Sequence, residues 1–198
     1  MHNEVNAAVI TVSDRSARGE RADASGPAMV ATLAARGIHA TGPVVVPDAV
    51  DAIQAAVRQA LAAGAQLVLL TGGTGIAPRD VTGAALAPLL DERIPGIEEA
   101  LRARGLATGA PGAMLSRPVA GIIRDARALC IAGPGSRGGA RDTAEIAADI
   151  AAHALAQLRG DGESGHQPPI ATTPNTDARP SATPHDATTT TPNSGHEL

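Results

Sequence analysis

The sequence predicts an α/β fold built on a mostly parallel sheet. Short apolar runs alternate with segments whose large aliphatic residues recur at helical spacing, giving a β-α-β-α-β order over residues 7–70. The run Leu67-Val68-Leu69-Leu70 is apolar without alternation, as strands covered on both faces are. Polar and glycine-rich stretches fall where apolar runs end, which is where open α/β sheets bind ligands.

Residues 7–13 form the first strand, apolar and β-branched, and Asp14, Arg15 and Ser16 follow it directly. Residues 18–23 read as a polar loop. Ser25 is expected to cap a helix with Pro27 near its first position; Met29, Val30 and Leu33 form the apolar stripe and Gly37 ends it. Val44-Val45-Val46 is the second strand, closed by Pro47 and Asp48. Asp48 can cap the next helix, in which Ile53, Val57 and Leu61 stand four residues apart and which Gly64 closes.

The third strand, residues 67–70, opens into Thr71-Gly72-Gly73-Thr74-Gly75-Ile76-Ala77-Pro78-Arg79-Asp80-Val81-Thr82. Three glycines in so short a turn permit positive φ and close backbone approach, and successive N–H groups there can converge on an anion. Thr82 can cap a helix. Helices are expected at residues 81–90 and 94–106, then a loop at 107–112. Ser116 and Arg117 stand just before a short strand at 119–123, and another strand follows at 127–131. Residues 133–139 form a second glycine loop, containing Pro134, Gly135 and Ser136. The last helix runs from about Arg141 to Leu158, with Ile146, Ile150, Ala154 and Leu158 on one face.

From Gly160 the composition turns to Pro, Thr, Ser, Asn and Asp. The expected organisation is a folded domain over residues 1–159 and a disordered, acidic, Pro/Thr-rich tail over residues 160–198, too poor in apolar surface to fold. The net charge of −4 lies wholly in that tail; the folded part is balanced and presents no basic excess for nucleic acid. Phe, Tyr and Trp are absent, so the core must be aliphatic and aromatic base-stacking platforms are excluded. All 16 basic residues are arginine, which excludes a lysine nucleophile or a P-loop lysine. Cys130, the sole cysteine, sits in an apolar run and reads as core, and the six histidines lack zinc-site spacing. Neither a signal peptide nor a membrane span is expected, which makes the cytoplasm the default compartment.

If the strands run parallel, Asp14, Asp48, the Thr71-to-Asp80 stretch and the second glycine loop share one edge and build one pocket. Ser116 and Arg117 precede their strand, so parallel order alone does not bring them there. The pocket would combine anion-binding backbone, arginines suited to phosphate, and separated carboxylates able to hold Mg²⁺ beside phosphate groups. That set favours phosphoryl or nucleotidyl transfer over acyl transfer. Each residue also has a plainer reading: Asp48 as a helix cap, Asp80 as a turn residue, Arg79 as a solvated charge.

Several stretches, in order, resemble the molybdopterin adenylyltransferase family of MogA/MoaB type. They are Thr11-Val12-Ser13-Asp14-Arg15 with Asp23-Ala24-Ser25-Gly26-Pro27, Val46-Pro47-Asp48, the Thr71-to-Thr82 signature, Ile94-Pro95-Gly96, the Ser116 loop and Pro134-Gly135-Ser136. The resemblance spans about residues 5–158. It implies a three-layer α/β/α sandwich of the molybdopterin-binding domain type, commonly a homotrimer, and binding of molybdopterin, a pterin dithiolene with a terminal phosphate. In active members that phosphate attacks the α-phosphorus of Mg-ATP, and other molybdenum cofactor biosynthesis proteins are possible partners. The resemblance assigns Asp48 and Asp80 to catalysis and to Mg²⁺. Phosphate, pterin or nucleotide binding falls on Thr71, Gly72, Gly73, Thr74, Gly75, Arg79, Asp14, Ser116, Arg117, Pro134, Gly135 and Ser136. The alternative is a MoaB-type binder without adenylyltransferase activity. Two departures stand out: Arg137 replaces the family's second loop proline, where it could bind phosphate or disturb the pterin pocket, and Gly133 replaces an apolar residue.

Overall fold

The structure, a computed structural model, describes residues 5–161. The expected tail lies outside the described residues except for Gly160 and Asp161.

Six strands form one sheet: β1 (Asn6–Val12), β2 (His39–Val46), β3 (Leu67–Thr71), β4 (Glu92–Arg93), β5 (Val119–Ile123) and β6 (Ala128–Gly133), in the order β2-β1-β3-β6-β5-β4. The neighbours among β2, β1, β3 and β6 run parallel, while β5 is antiparallel to β6 and β4 is antiparallel to β5. The sheet is therefore mixed with a parallel majority. The two central strands, β3 and β6, are short, almost wholly apolar runs and are buried at every residue.

Alternate residues of these strands serve two cores, which makes the fold three-layered. Val9, Leu67, Leu69, Leu129 and Ile131 face one side, where α2 (Ser25–Ala35), α5 (Pro95–Ala107) and α6 (Arg137–Arg159) pack. Ile10, Val68, Leu70 and Cys130 face the other, against α3 (Val50–Ala62) and α4 (Thr82–Leu86). Aliphatic groups fill both cores, each fully buried Leu, Ile or Met contributing roughly 1.5–3 kcal/mol by leaving water. On α6 the side against the sheet is Ala140, Ala144, Ala147 and Ala151, not the expected Ile146 and Ile150, which are only partly buried. Small side chains let the helix axis lie close to the sheet, and the larger residues fill its flanks.

Several local expectations shift. Residues 14–17 form a one-turn helix, α1 (Asp14–Ala17), capped by Ser13. Ser25 is the first residue of α2 rather than its cap; the Asp23 carboxylate accepts from the Ser25 and Gly26 N–H groups instead. The helix expected at 81–90 is only α4, because residues 92–93 pair with β5 as an edge strand. The second glycine loop shrinks to Pro134, Gly135 and Ser136, since the Ser136 hydroxyl caps α6 by accepting from Gly139 N at 3.0 Å and Arg137 already lies in the first turn.

Candidate functional site

Parallel order brings the ends of β1, β2, β3 and β6 to one edge of the sheet. Thr71 stands beside Thr11 on one side and Gly133 on the other, and Val12 beside Val46. The antiparallel β5 brings its beginning to that same edge: Val119 pairs with Ala132, so Ser116 and Arg117 arrive beside the glycine turn. Arg117 N donates to Thr74 O at 2.7 Å, and the Thr74 and Ser116 hydroxyls lie 3.4 Å apart.

The turn after β3 is held from several directions. Gly72 has φ +108° and Gly73 φ +63°, both in the region that disfavours a side chain. A Cβ at Gly72 would lie 2.2 Å from the Val12 carbonyl oxygen, and one at Gly73 would lie 2.2 Å from Thr82 Oγ1. Thr82, expected as a helix cap, is fully buried inside the first turn of α4; its hydroxyl donates to Gly72 O at 2.9 Å and its N–H to Gly73 O at 3.1 Å. Thr71, also fully buried, donates its hydroxyl to Pro134 O at 2.9 Å, and Gly72 N donates to Gly133 O at 3.1 Å. These two bonds fasten the glycine turn to the Pro134-Gly135-Ser136 loop, so Thr71 acts as a tether and offers no polar atom to solvent. On the outer side the exposed Arg117 donates from Nε to Gly75 O at 2.8 Å and from Nη2 to Asp80 O at 2.9 Å.

Three carboxylates gather around this frame. Asp14 and Asp48 exchange backbone bonds: Asp14 N donates to Asp48 Oδ2 at 2.8 Å and Asp48 N to Asp14 Oδ1 at 3.1 Å. Helix α3 starts after Asp48 with no side-chain cap, so the plain capping role expected for Asp48 is not the one it performs. Asp80 Oδ2 accepts from Ala77 N at 2.8 Å. Thus Asp48 and Asp80 each commit one oxygen to a backbone N–H, and no donor among the described residues reaches the other. The Asp48 carboxyl is raised above its ordinary value, first by burial and then by the charges of Asp14 and Asp80, with the Asp14 N–H and the Arg79 cation opposing. A concentration of negative charge with free oxygens is a donor set that fits a divalent cation. Among the described residues no three such side chains form a complete metal cage. The set therefore suits a cation such as Mg²⁺, which draws its remaining ligands from phosphate and water.

Three depressions meet at Ser116. A cleft of about 350 Å³ lies over Gly73, Thr74, Gly75 and Asp80 and is closed by Pro134 and Gly135. A second, of about 570 Å³, runs from Gly73 and Asp80 past Arg117 to Arg93, Glu98 and Arg102. A narrower slot enters between α5 and α6. Arg137 lines none of these; with Arg36 and Arg141 it lines a separate groove between α2 and α6. Arg102 and Asp142, which line the clefts, carry no local motif; only the strand order that sets α5 beside the site reveals them.

Residues 8–154 match the family model described as "Probable molybdopterin binding domain". The chain is 35% identical over 153 residues to a molybdopterin adenylyltransferase of Pyrococcus furiosus, covering 76% of this chain and 89% of that protein. It is 34% identical over 157 residues to a molybdenum cofactor biosynthesis bifunctional protein of Chlorobaculum tepidum, covering 79% of this chain and 49% of the relative, so it spans about half that protein's length. A crystal structure of a molybdopterin biosynthesis protein from Mycobacterium abscessus superposes with a TM-score of 0.72 at 41% identity, covering 78% of this chain and 96% of that one.

Proposed function

The chain belongs to the molybdopterin-binding domain family of molybdenum cofactor biosynthesis, and from that premise we propose that it is a Mg²⁺- and ATP-dependent molybdopterin adenylyltransferase. The observation that carries the reading is the pair Asp48 and Asp80, each with one oxygen that no donor among the described residues reaches, and each against the glycine turn: a Cβ at Gly73 would lie 3.2 Å from Asp48 Oδ1 and one at Gly75 2.6 Å from Asp80 Oδ2. In the proposed reaction an oxygen of the molybdopterin phosphate bonds to the α-phosphorus of ATP, the bond from that phosphorus to the bridging oxygen breaks, and pyrophosphate leaves.

The residues divide the work by chemistry. N–H groups of Gly73, Thr74 and Gly75 and the Arg79 guanidinium stabilise phosphate charge. Asp48 and Asp80 would hold Mg²⁺, which when bound neutralises charge on the phosphates and orients the leaving group. Ser116 and the Pro134-Gly135-Ser136 loop position the substrates, with the Thr71 hydroxyl and Arg117 keeping the two loops in register. Such catalysis is mostly positioning and electrostatic stabilisation, because the attacking oxygen belongs to the substrate phosphate. No described helix is long and apolar enough to cross a membrane, and the reading places the protein in the cytoplasm as a homotrimer.

The test is incubation of the purified chain with molybdopterin, ATP and Mg²⁺, followed by mass analysis. Mg²⁺-dependent adenylyl-molybdopterin is expected. Tight molybdopterin binding without product would replace the transferase with a MoaB-type binding protein, and absence of both would overturn the reading.

A further inference from the structure

The cleft of about 570 Å³ ends, away from the glycine turn, at a buried carboxylate. Glu98, in the first turn of α5, is the sole buried charged side chain among the described residues, with 7% of that side chain exposed. A carboxylate is costly to bury and persists where its partners satisfy it. Glu98 Oε1 accepts from Ala120 N at 3.1 Å, from Arg93 Nε at 3.1 Å and from Arg93 Nη2 at 2.7 Å, and Oε2 accepts from Arg93 Nη2 at 2.8 Å. The bond from Ala120 N ties α5 to β5 and is structural. The grip on Arg93 is not needed for that, because Arg93 already pairs with β5 through its backbone, opposite Gly121.

The grip instead fixes a guanidinium at the cleft wall. Nε and Nη2 face Glu98, and Nη1 has no acceptor among the described residues, on a side chain that is 58% exposed. Arg102 stands four residues beyond Glu98 on the same face of α5, lines the same cleft, and makes no ion pair among the described residues. The third arginine of the cleft, Arg117, is spent on the Gly75 and Asp80 carbonyls. Two guanidinium groups with unused donors therefore stand at the end of a cleft whose other end holds Asp80 and the glycine turn.

Resting on the function proposed above, we infer that Arg93 and Arg102 seat the departing pyrophosphate, and that Glu98 is the positioning residue that aims Arg93. When the bond from the α-phosphorus to the bridging oxygen breaks, its electron pair stays on that oxygen, and negative charge grows on the two phosphates that leave. Planar guanidinium forks match phosphate oxygens and oppose that charge. Glu98 holds the Arg93 fork in place before the ligand arrives, so less side-chain freedom is lost on binding. AMP lacks these two phosphates and makes no use of the seat.

The experiment is calorimetric titration of the full chain with inorganic pyrophosphate in Mg²⁺, and separately with AMP and, anaerobically, with molybdopterin. Wild type is compared with Arg102→Gln and with Arg93→Gln combined with Glu98→Gln, which strands no carboxylate and keeps an acceptor for Ala120 N. Each is expected to weaken pyrophosphate binding roughly 10- to 100-fold, the loss typical of a charge-assisted contact. AMP and molybdopterin should change less than about twofold. Glu98→Gln alone keeps the Arg93 cation and loosens its hold, and should weaken pyrophosphate by less than about tenfold, again sparing the other two ligands. Unchanged pyrophosphate affinity in either arginine variant overturns the inference while leaving the transferase reading intact. Equal losses of pyrophosphate and AMP overturn it by placing the nucleotide's own phosphate in the cleft, and equal losses of all three ligands overturn it by making the cluster merely structural. A wild-type chain that forms adenylyl-molybdopterin yet binds no pyrophosphate overturns this inference alone; one that does neither brings down the function beneath it as well.

Discussion

The tether between the two site loops can be cut without altering side-chain shape. Thr71→Val replaces a hydroxyl by a methyl at a residue with no exposed surface, and leaves Pro134 O without the donor now 2.9 Å away. Losing one neutral bond and stranding a carbonyl costs about 1–2 kcal/mol. For a domain of this size each kcal/mol lowers Tm by about 2–4 °C, so the drop should be roughly 2–8 °C. Thr71→Ser keeps the hydroxyl and deletes a buried methyl, costing a comparable ~1 kcal/mol. Similar stability with opposite effects on the tether is what makes the pair informative. Gly72 N still donates to Gly133 O in both variants, so the loops loosen without separating. Amide hydrogen exchange at Gly73, Thr74 and Gly75 should accelerate in Thr71→Val and stay near wild type in Thr71→Ser, with melting measured at one protein concentration. Equal exchange in the two variants, or no stability loss in Thr71→Val, would refute the tether.

Three further outcomes are expected. Asp48→Asn should lower turnover by about 10²–10³ yet melt higher than wild type at neutral pH, because the folded state holds this carboxyl above its ordinary value. The sign is fixed by linkage: the folded state binds the extra proton, so wild-type stability falls as pH rises from the ordinary carboxylate value through the raised one, and the two melting curves should converge below it. Burial pushes the Cys130 thiol up to about 12, so iodoacetamide at pH 8 should spare the native chain and label it fully in urea. Gly133→Ala should destabilise by about 1–3 kcal/mol, as overpacking does, because the added Cβ would sit 2.0 Å from Thr143 Oγ1 on α6. Thr143→Ala in the same chain should recover most of that loss, measured as a double-mutant cycle in urea.

The same contact explains how the fold accommodates the departure at Gly133: the volume that a side chain there would fill is occupied by Thr143, whose hydroxyl turns back to Gly139 O at 2.7 Å. Neither residue signals the other in the sequence. The parallel core was legible because its strands are short apolar runs between helical repeats, and the glycine turn because its residues are consecutive. The caps were misjudged for one physical reason. Asp48 and Thr82 are good capping residues, but each is drawn to a tertiary partner, the Asp14 N–H and the Gly72 carbonyl, that only the folded sheet supplies. Strand β4, only two residues long and both of them charged and exposed, has no apolar pattern to detect. Asp142 and Arg102 sit inside helices off the apolar stripe, where an isolated charge looks like any solvated one.

The reversal of chain direction at β5 completes the site. A five-residue strand is about 17 Å long. Were β5 parallel to β6, Ser116 and Arg117 would enter at the opposite edge, about that distance from the glycine turn. Antiparallel pairing puts Val119 beside Ala132, the Ser116 hydroxyl 3.4 Å from that of Thr74, and the Arg117 guanidinium on Gly75 O and Asp80 O. The guanidinium takes up two carbonyls of the turn, so the backbone that positions Asp80 is fixed by a side chain brought in from β5's beginning. The same reversal sets β5 and the following β6 so that α5 and α6 flank Ser116, opening the slot that Asp142 lines. A purely parallel sheet could supply the glycine turn and the aspartates; the serine, the arginine clamp and the slot require the turn of direction.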